Sequence, residues 1–280
     1  MDRYDVIVVG GGSAGCAAAA RLSEDPQRRV LLLEAGPDPQ PLPDVVADAR
    51  LVPELWQTPY VVRYPTSRGD GAGTFDSLAG RIMGGGSAIN WMNVTWPQPD
   101  DLDGWARLGN PEWAWDRVLP VLKRIETDQD YPGSDDHGGR GPLYVKRQLV
   151  FDRPMEGIRH AFIEACRAKG FPLCPDQNRP NPYGIAPTAQ NIRGGRRIST
   201  ATAYLDPIRT RPNLRILADA PAVGVQLAGR RAEGVRYRHD GQVRTALADQ
   251  IVLCAGVFHS PHLLMLSGIG PVRILEDLGI

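Results

Sequence analysis

The stretch "YDVIVVGGGSAGCAAAARLSE" admits few folds. Its first half is a β-branched apolar run suited to a parallel strand buried on both faces, and its alanine-rich end favours a helix. Between them Gly10, Gly12 and Gly15 fit G-x-G-x-x-G. The first glycine permits the tight turn, the second lets a pyrophosphate approach the backbone, and the third lets helix and strand pack closely. The helix beginning near Ser13 then turns free N–H groups and the positive end of its dipole toward phosphates. A second apolar run, "RVLLLE", ends in Glu34, at the spacing expected for an acid that hydrogen-bonds an adenosine ribose hydroxyl and disfavours a 2′-phosphate. The pattern predicts a dinucleotide site in a Rossmann-like α/β domain. A purely structural turn is the lesser alternative, and NAD and FAD both remain open.

The letters GGGSA recur at Gly84–Ala88 with different flanks: "AGRIM" before them lacks a buried-strand pattern, and "INWMNVTWPQPDDLDGW" after them is unsuited to a continuing helix. No second dinucleotide fold is expected there. Three glycines in a row, Gly85 among them, still imply a backbone approached closely, with N–H groups and the Ser87 hydroxyl able to donate to an anion or a ring oxygen. Asn90 and Asn93 present amides beside Trp91 and Trp96, a mix suited to the edge of a large heterocycle. A glycine-rich surface loop whose tryptophans close onto the core explains the same letters equally well.

Of the 280 residues, 32 are Lys or Arg and 32 Asp or Glu, so no net field recommends nucleic acid or an anionic membrane as partner. A small-molecule ligand is expected. No apolar run reaches the length of a membrane span, and "MDRYDVIVV" does not read as a signal peptide. Cys16, Cys166, Cys174 and Cys254 form no C-x-x-C pair, which fits a cytoplasmic protein with buried packing cysteines and no metal framework. His259 and His262 lack neighbouring ligands for zinc. With His137, His160 and His239 they read as solvated or locally satisfied side chains.

Three long motifs, "VIVVGGGSAGCAAAARLSEDP", "GRIMGGGSAIN" and "GVFHSPHLLMLSGIGP", resemble in order and spacing the glucose–methanol–choline (GMC) oxidoreductases, of the choline-dehydrogenase-like kind. The likeness continues through "DLDGWARLGNPEWAWDRVLPVLKRIE", "HGGRGPLYV" and "RPNLRILADAPAVGVQLAGRRAEGVRY". It implies FAD, with Gly10, Gly12, Ser13 and Gly15 at the pyrophosphate and Glu34 at the adenosine ribose. Ile82, Asn90, Trp91, Met92 and Asn93 match the flavin-lining segment, and Val223 a contact to the adenine end. Where several members carry a flavin-linked histidine this chain has Ile89, so the resemblance implies non-covalent FAD. Gly86 replaces a commoner serine. One long cofactor would then explain both glycine loops.

The implied fold is a GMC-type Rossmann-like FAD domain with the beginning of an α+β substrate domain. Residues 1–40 and 210–280 would form the first, 41–150 a flavin-covering extension and 151–209 part of the second. "FDRPMEGIRHAFIEACRAKG" predicts a helix capped by Asp152, with Pro154 in its first turn, packing through Met155, Ile158, Phe162, Ala165 and Cys166, and stopped by Gly170. Arg196, Arg197, Ser199 and Thr200 form a polar cluster read as a cap for "TATAYL". "NLRILADA", "AVGVQLAG", "AEGVRYRH" and "QIVLCAG" read as strands, the middle two a hairpin across "GRR". Ala255 and Gly256 after the last strand permit close approach to the cofactor, and Ser260 with Pro261 is the expected start of the next helix. The implied reaction is hydride transfer from a small-molecule alcohol to FAD, with oxygen, a quinone or a redox carrier as final acceptor. The family's catalytic histidine and its partner would lie downstream of Ile280, so an N-terminal fragment with exposed apolar surface is expected. A hydroxynitrile-lyase-like enzyme and an inert FAD-binding fragment are the alternatives.

Overall fold

The first apolar run forms strand β1 (Arg3–Val9), and alternation along it serves two cores at once. Ile7 and Val9 pack with Leu31 and Leu33 on one side, while Val6 and Val8 pack with Val30 and Leu32 on the other. Such a strand needs cover on both faces, which is why its sequence shows no polar alternation. Helix α1 (Ser13–Leu22) supplies cover on one side through Cys16 and Ala19, both fully buried. The computed structural model describes residues 2–69, 71, 73–147 and 157–280.

β1 lies between β2 (Val30–Leu33) and the last strand of a six-stranded sheet. In chain order the remaining strands of the first compact unit are a separate hairpin, β3 (Val61–Ser67) and β4 (Thr74–Gly80), then β5 (Leu214–Leu217), β6 (Ala222–Ala228), β7 (Arg231–His239) and β8 (Gln242–Leu253). The sheet order is β5-β2-β1-β8-β7-β6. The first four strands run parallel, and β8, β7 and β6 form an antiparallel meander. The expected hairpin across "GRR" is present. The second turn of the meander is Asp240-Gly241, both at positive φ (51° and 73°), so β8 begins well before "QIVLCAG".

Helix α2 (Gly256–Leu266), with Ala255 as its N-cap, starts five residues earlier than its Ser260–Pro261 signal. Ser260 acts from inside the first turns, its Oγ accepting the Ala255 N–H at 3.1 Å. Pro261 is tolerated there because the carbonyl it leaves without a helical donor belongs to Val257, 80% exposed. A short helix, α3 (Val272–Asp277), follows, and Val272, Leu278 and Ile280 are also exposed.

The chain divides into two compact units, Met1–Asn90 with Ser199–Ile280 and Trp91–Ile198. These bounds differ from the three-part division expected from the sequence: residues 41–90 join the nucleotide-type unit, because their own core of Val46, Leu55, Val61, Ile82, Ala88 and Ile89 is tied to it by Met83, which packs with Val6, Val8 and Cys16 and donates its N–H to Pro37 O at 2.9 Å. The second unit holds helices Pro99–Arg107 and Trp115–Ile125 and a three-stranded sheet of Glu126–Asp128, Leu143–Arg147 and Ala189–Gln190. Its helix Ile158–Ala168 covers part of the predicted one; Asp152, Pro154 and Met155 lie outside the described residues. The expected packing face is not the buried one. Ile158 and Phe162 are 86% and 61% exposed, and Ile163 is the buried residue of this helix. Among the described residues no helix is long and apolar enough to cross a membrane.

Candidate functional site: two glycine loops in backbone contact

The C-terminal ends of β1, β2 and β8 converge on Gly10: its N–H donates to Leu33 O at 2.7 Å, and Cys254 N–H donates to Val9 O at 2.7 Å. In open α/β sheets ligands gather at this edge. Gly10 holds φ +102°, and a Cβ there would meet Cys254 O at 2.5 Å and Ala255 Cα at 2.8 Å. Glycine is required by conformation and by space. Ala255 thus sits against the first loop, while Gly256 (φ +85°) is exposed at the start of α2. Val223 is the extra residue of a β-bulge between Ala222 and Gly224, half-buried.

At the N-terminus of α1, Gly12 has no side chain to cap the helix, no acidic residue occupies the first turn, and Ser13 and Ala14 are exposed. A Cβ on Gly12 would meet only Gly85 Cα, at 3.8 Å. Open space in front of uncapped helical N–H groups fits a pyrophosphate.

The Glu34 carboxylate is buried and already engaged: Oε2 accepts the Gly11 N–H and Oε1 the Gly36 N–H, each at 2.7 Å. Burial raises its pKa, opposed by those N–H groups. Lone pairs remain on both oxygens for ribose hydroxyls. Glu34→Gln turns an amide NH2 toward one of two fixed N–H donors. We expect a loss of about 1–3 kcal/mol, the cost of an unmatched buried donor, in denaturant titration of the ligand-free chain; an unchanged midpoint would remove Glu34 from the loop's architecture.

The second glycine loop makes a single 3-10 turn, Gly85–Ala88, and lies directly on the first. Gly84 N–H donates to Gly11 O at 2.7 Å, and a Cβ on Gly85 would stand 2.7 Å from Gly12 Cα. Met83 Sδ would touch a Cβ on Gly11 at 2.5 Å, and Gly36 abuts Arg81 and Ile82. The two GGGSA stretches therefore form one continuous bed. Gly86 faces open space and is exposed, as is Asn90.

Two expected contacts change character. Ile82 is fully buried in the core shared with Ile89, so its side chain packs and only its backbone borders the bed. Ser87 is buried, and its hydroxyl donates to Gly84 O at 2.7 Å while accepting from Thr200, so it braces the loop rather than facing a ligand. In the second unit, Trp91 is half-exposed, Asn93 is exposed, and buried Met92 has φ +61°. Asn191 N–H donates to Met92 O, and Gln190 Nε2 to Asn93 Oδ1, both at 3.0 Å. Ser199 does cap as expected, its Oγ accepting the Thr202 N–H at 3.2 Å.

The residues least legible in the sequence lie in the second unit. His137, expected to be an ordinary satisfied side chain, is buried between carboxylates: Nδ1 is 2.8 Å from Glu126 Oε1 and 3.2 Å from Asp128 Oδ2, and Nε2 is 2.7 Å from Asp176 Oδ2. Burial opposes its charged form, but hydrogen bonds to Asp176 and Glu126 and the field of Asp128 hold its pKa up to about 9. Buried Arg147 joins Asp128 to Asp176. Glu126, Asp128 and His137 offer ligand-type atoms within 4.8 Å of one another, yet both ring nitrogens are spent on carboxylates and the imidazolium serves as the cation.

The family profile described as GMC oxidoreductase matches residues 4–278. Pyridoxine 4-oxidase from Microbacterium luteolum is 35% identical over 100% of this chain and 55% of its own length. Mitochondrial choline dehydrogenase from Mus musculus is 36% identical over 100% of this chain and 48% of its own. A crystal structure of pyridoxine 4-oxidase from Mesorbium loti superposes with a TM-score of 0.92 at 37% identity, covering 99% of this chain and 54% of that one. Formate oxidase from Aspergillus oryzae, in a structure concerned with modification of its FAD, gives 0.89 at 28% identity, covering 100% of this chain and 50% of that one. The chain spans about half the length of the curated relatives it matches. With a nucleotide-type sheet edge, two interlocked glycine loops and a profile match over nearly its whole length, the chain belongs to the GMC oxidoreductase family.

Proposed function

We propose that this chain binds one FAD along the two glycine loops and forms the cofactor-holding half of an oxidoreductase that converts a small alcohol to an aldehyde or ketone. The observation that carries the reading is the backbone contact between the loops, Gly84 N–H to Gly11 O. A ligand with a pyrophosphate at one end and a large ring system at the other fits a bed made of both. NAD, gripped at the first loop, gives the second no task.

The α1 N-terminus would hold the pyrophosphate and Glu34 the adenosine ribose, with Ala255 and Val223 flanking the nucleotide end and Gly85 to Asn90 lying along the ring system. When bound, FAD would supply the hydride acceptor. This chain's residues would bind and orient it. No described residue is assigned as the base that takes the hydroxyl proton. The substrate and the final electron acceptor, whether oxygen, a quinone or a redox carrier, belong to a whole protein about twice this length.

Ile89, at the position of the family's flavin-linked histidine, is buried in the core, and its carbonyl accepts the Trp56 indole N–H at 2.9 Å. A side chain with no nucleophile at this position supports non-covalent FAD. The purified chain should take up FAD, turn yellow, and release all flavin into the supernatant on acid precipitation. Flavin retained in the pellet would show attachment by another residue. Protein carrying NAD and no flavin would overturn the proposal.

A further inference from the structure

The surface where the two glycine loops meet has a polar underside, and one of its members comes from a distant segment. Cys16 is fully buried, and its thiol donates to Gly11 O at 3.0 Å, the same carbonyl that accepts the Gly84 N–H. Ser87 Oγ donates to Gly84 O at 2.7 Å. Thr200 closes the set: its N–H donates to Ser87 Oγ at 2.9 Å, and its hydroxyl lies 2.9 Å from the same oxygen. Since the Ser87 proton goes to Gly84 O, the Thr200 hydroxyl is the donor in that second contact, and both Ser87 lone pairs are filled.

Thr200 precedes a π-helical turn, Ala201–Leu205, whose Ala201 and Leu205 pack in one core with Cys16 and Met83. Turns of this kind are rare and often mark functional sites. The Thr200 hydroxyl is not used to cap that turn. It points instead at the serine that fixes Gly84 and Gly85, which hold φ +95° and +51° with Gly85 against Gly12.

We propose that Thr200 is a positioning residue of the cofactor bed: through Ser87 it fixes the Gly84–Gly85 backbone, and so the surface on which the flavin end of FAD rests. The inference builds on the FAD reading above. It bears mainly on the flavin end of the ligand: the Thr200 hydroxyl also reaches the Cys16 side chain, but the sheet fixes the first loop independently, through Gly10 N–H to Leu33 O and Cys254 N–H to Val9 O.

The test uses the 280-residue chain, with Thr200→Val removing the hydroxyl at constant shape and Thr200→Ser restoring it. FAD and ADP are titrated into each variant, and amide exchange at Gly84 is followed without ligand. Thr200→Val should raise the FAD Kd about tenfold, the factor for one lost buried hydrogen bond, with the ADP Kd changed less than about twofold. Gly84 exchange should quicken, and Thr200→Ser should recover both. Equal weakening of FAD and ADP, or an unchanged FAD Kd, overturns the positioning role. A wild-type chain that binds ADP but no FAD defeats the cofactor reading, and the positioning role with it. Independently of FAD, Gly84 exchange that is unchanged in Thr200→Val rules out the brace itself.

Discussion

Gly12→Ala should weaken FAD binding at least about a hundredfold and leave the fold intact, while Gly15→Ala, three residues on, should destabilise the chain by about 3 kcal/mol or more. Gly12 has φ −84° and ψ −160°, a conformation open to any residue, and its added methyl would meet nothing closer than Gly85 Cα at 3.8 Å. The protein accommodates it, with a stability change within about 0.5 kcal/mol. The methyl projects into the space in front of the α1 N–H groups, where the pyrophosphate would lie. Overpacking there costs about 3 kcal/mol, a rise in the FAD Kd of at least about a hundredfold. At Gly15 the Cβ would lie 1.8 Å from Gly10 O and 3.3 Å from Cys254 Cβ. Gly10 has little room to yield, because it sits at φ +102° with its N–H tied to Leu33 O at 2.7 Å. Helix and strand must part, at about 3 kcal/mol or more. Denaturant titration and FAD titration on both variants separate the two ledgers. Gly12→Ala with wild-type FAD affinity would mean that the loop does not face the pyrophosphate.

What the sequence conveyed about this site followed from steric rules that act locally. A β-branched run, glycines at fixed offsets and a terminal acid specify strand, turn, helix and Glu34 because each demand is met within a few residues. The contact between Gly85 and Gly12 depends on chain returning from elsewhere, and no local pattern reports it. Ile82 and Ser87 illustrate the same limit: both lie in the motif, yet one fills a core with Val46 and Leu55, and the other is claimed by Thr200. The early start of β8 was legible, since Asp240-Gly241 is a two-residue hairpin signal, but the hydrophobic run "QIVLCAG" drew the boundary to itself. Ile158 and Phe162 show the converse error. Helical spacing identified an apolar stripe, and spacing alone does not say whether anything covers it.

His137→Gln should cost about 3–5 kcal/mol, measured by denaturant titration of the ligand-free chain. Glu126, Asp128 and Asp176 are all buried, and Arg147 and His137 are the cations that face them. Removing one partner of a buried ion pair leaves charge without compensation, which costs more than the pair contributes. Glutamine can hold one carboxylate but not two on opposite sides of a ring. The same network predicts a pH dependence of definite sign. His137 is raised from the ordinary histidine value to about 9 in the folded chain, so its contribution is complete below about pH 6.5 and is lost as pH rises through about 9. A shift of this size corresponds to roughly 3 kcal/mol. Asp176 runs the other way. Burial disfavours its charge, but His137, Arg147 and the Asn178 N–H lower it to about 2, so its contribution is present above about pH 4 and fades as pH falls through 2. Wild-type stability should therefore decline between pH 6.5 and 9 beyond the decline of His137→Gln, whose profile over that window should be flatter. Parallel profiles would show that His137 is neutral when buried, with one ring nitrogen donating and the other accepting.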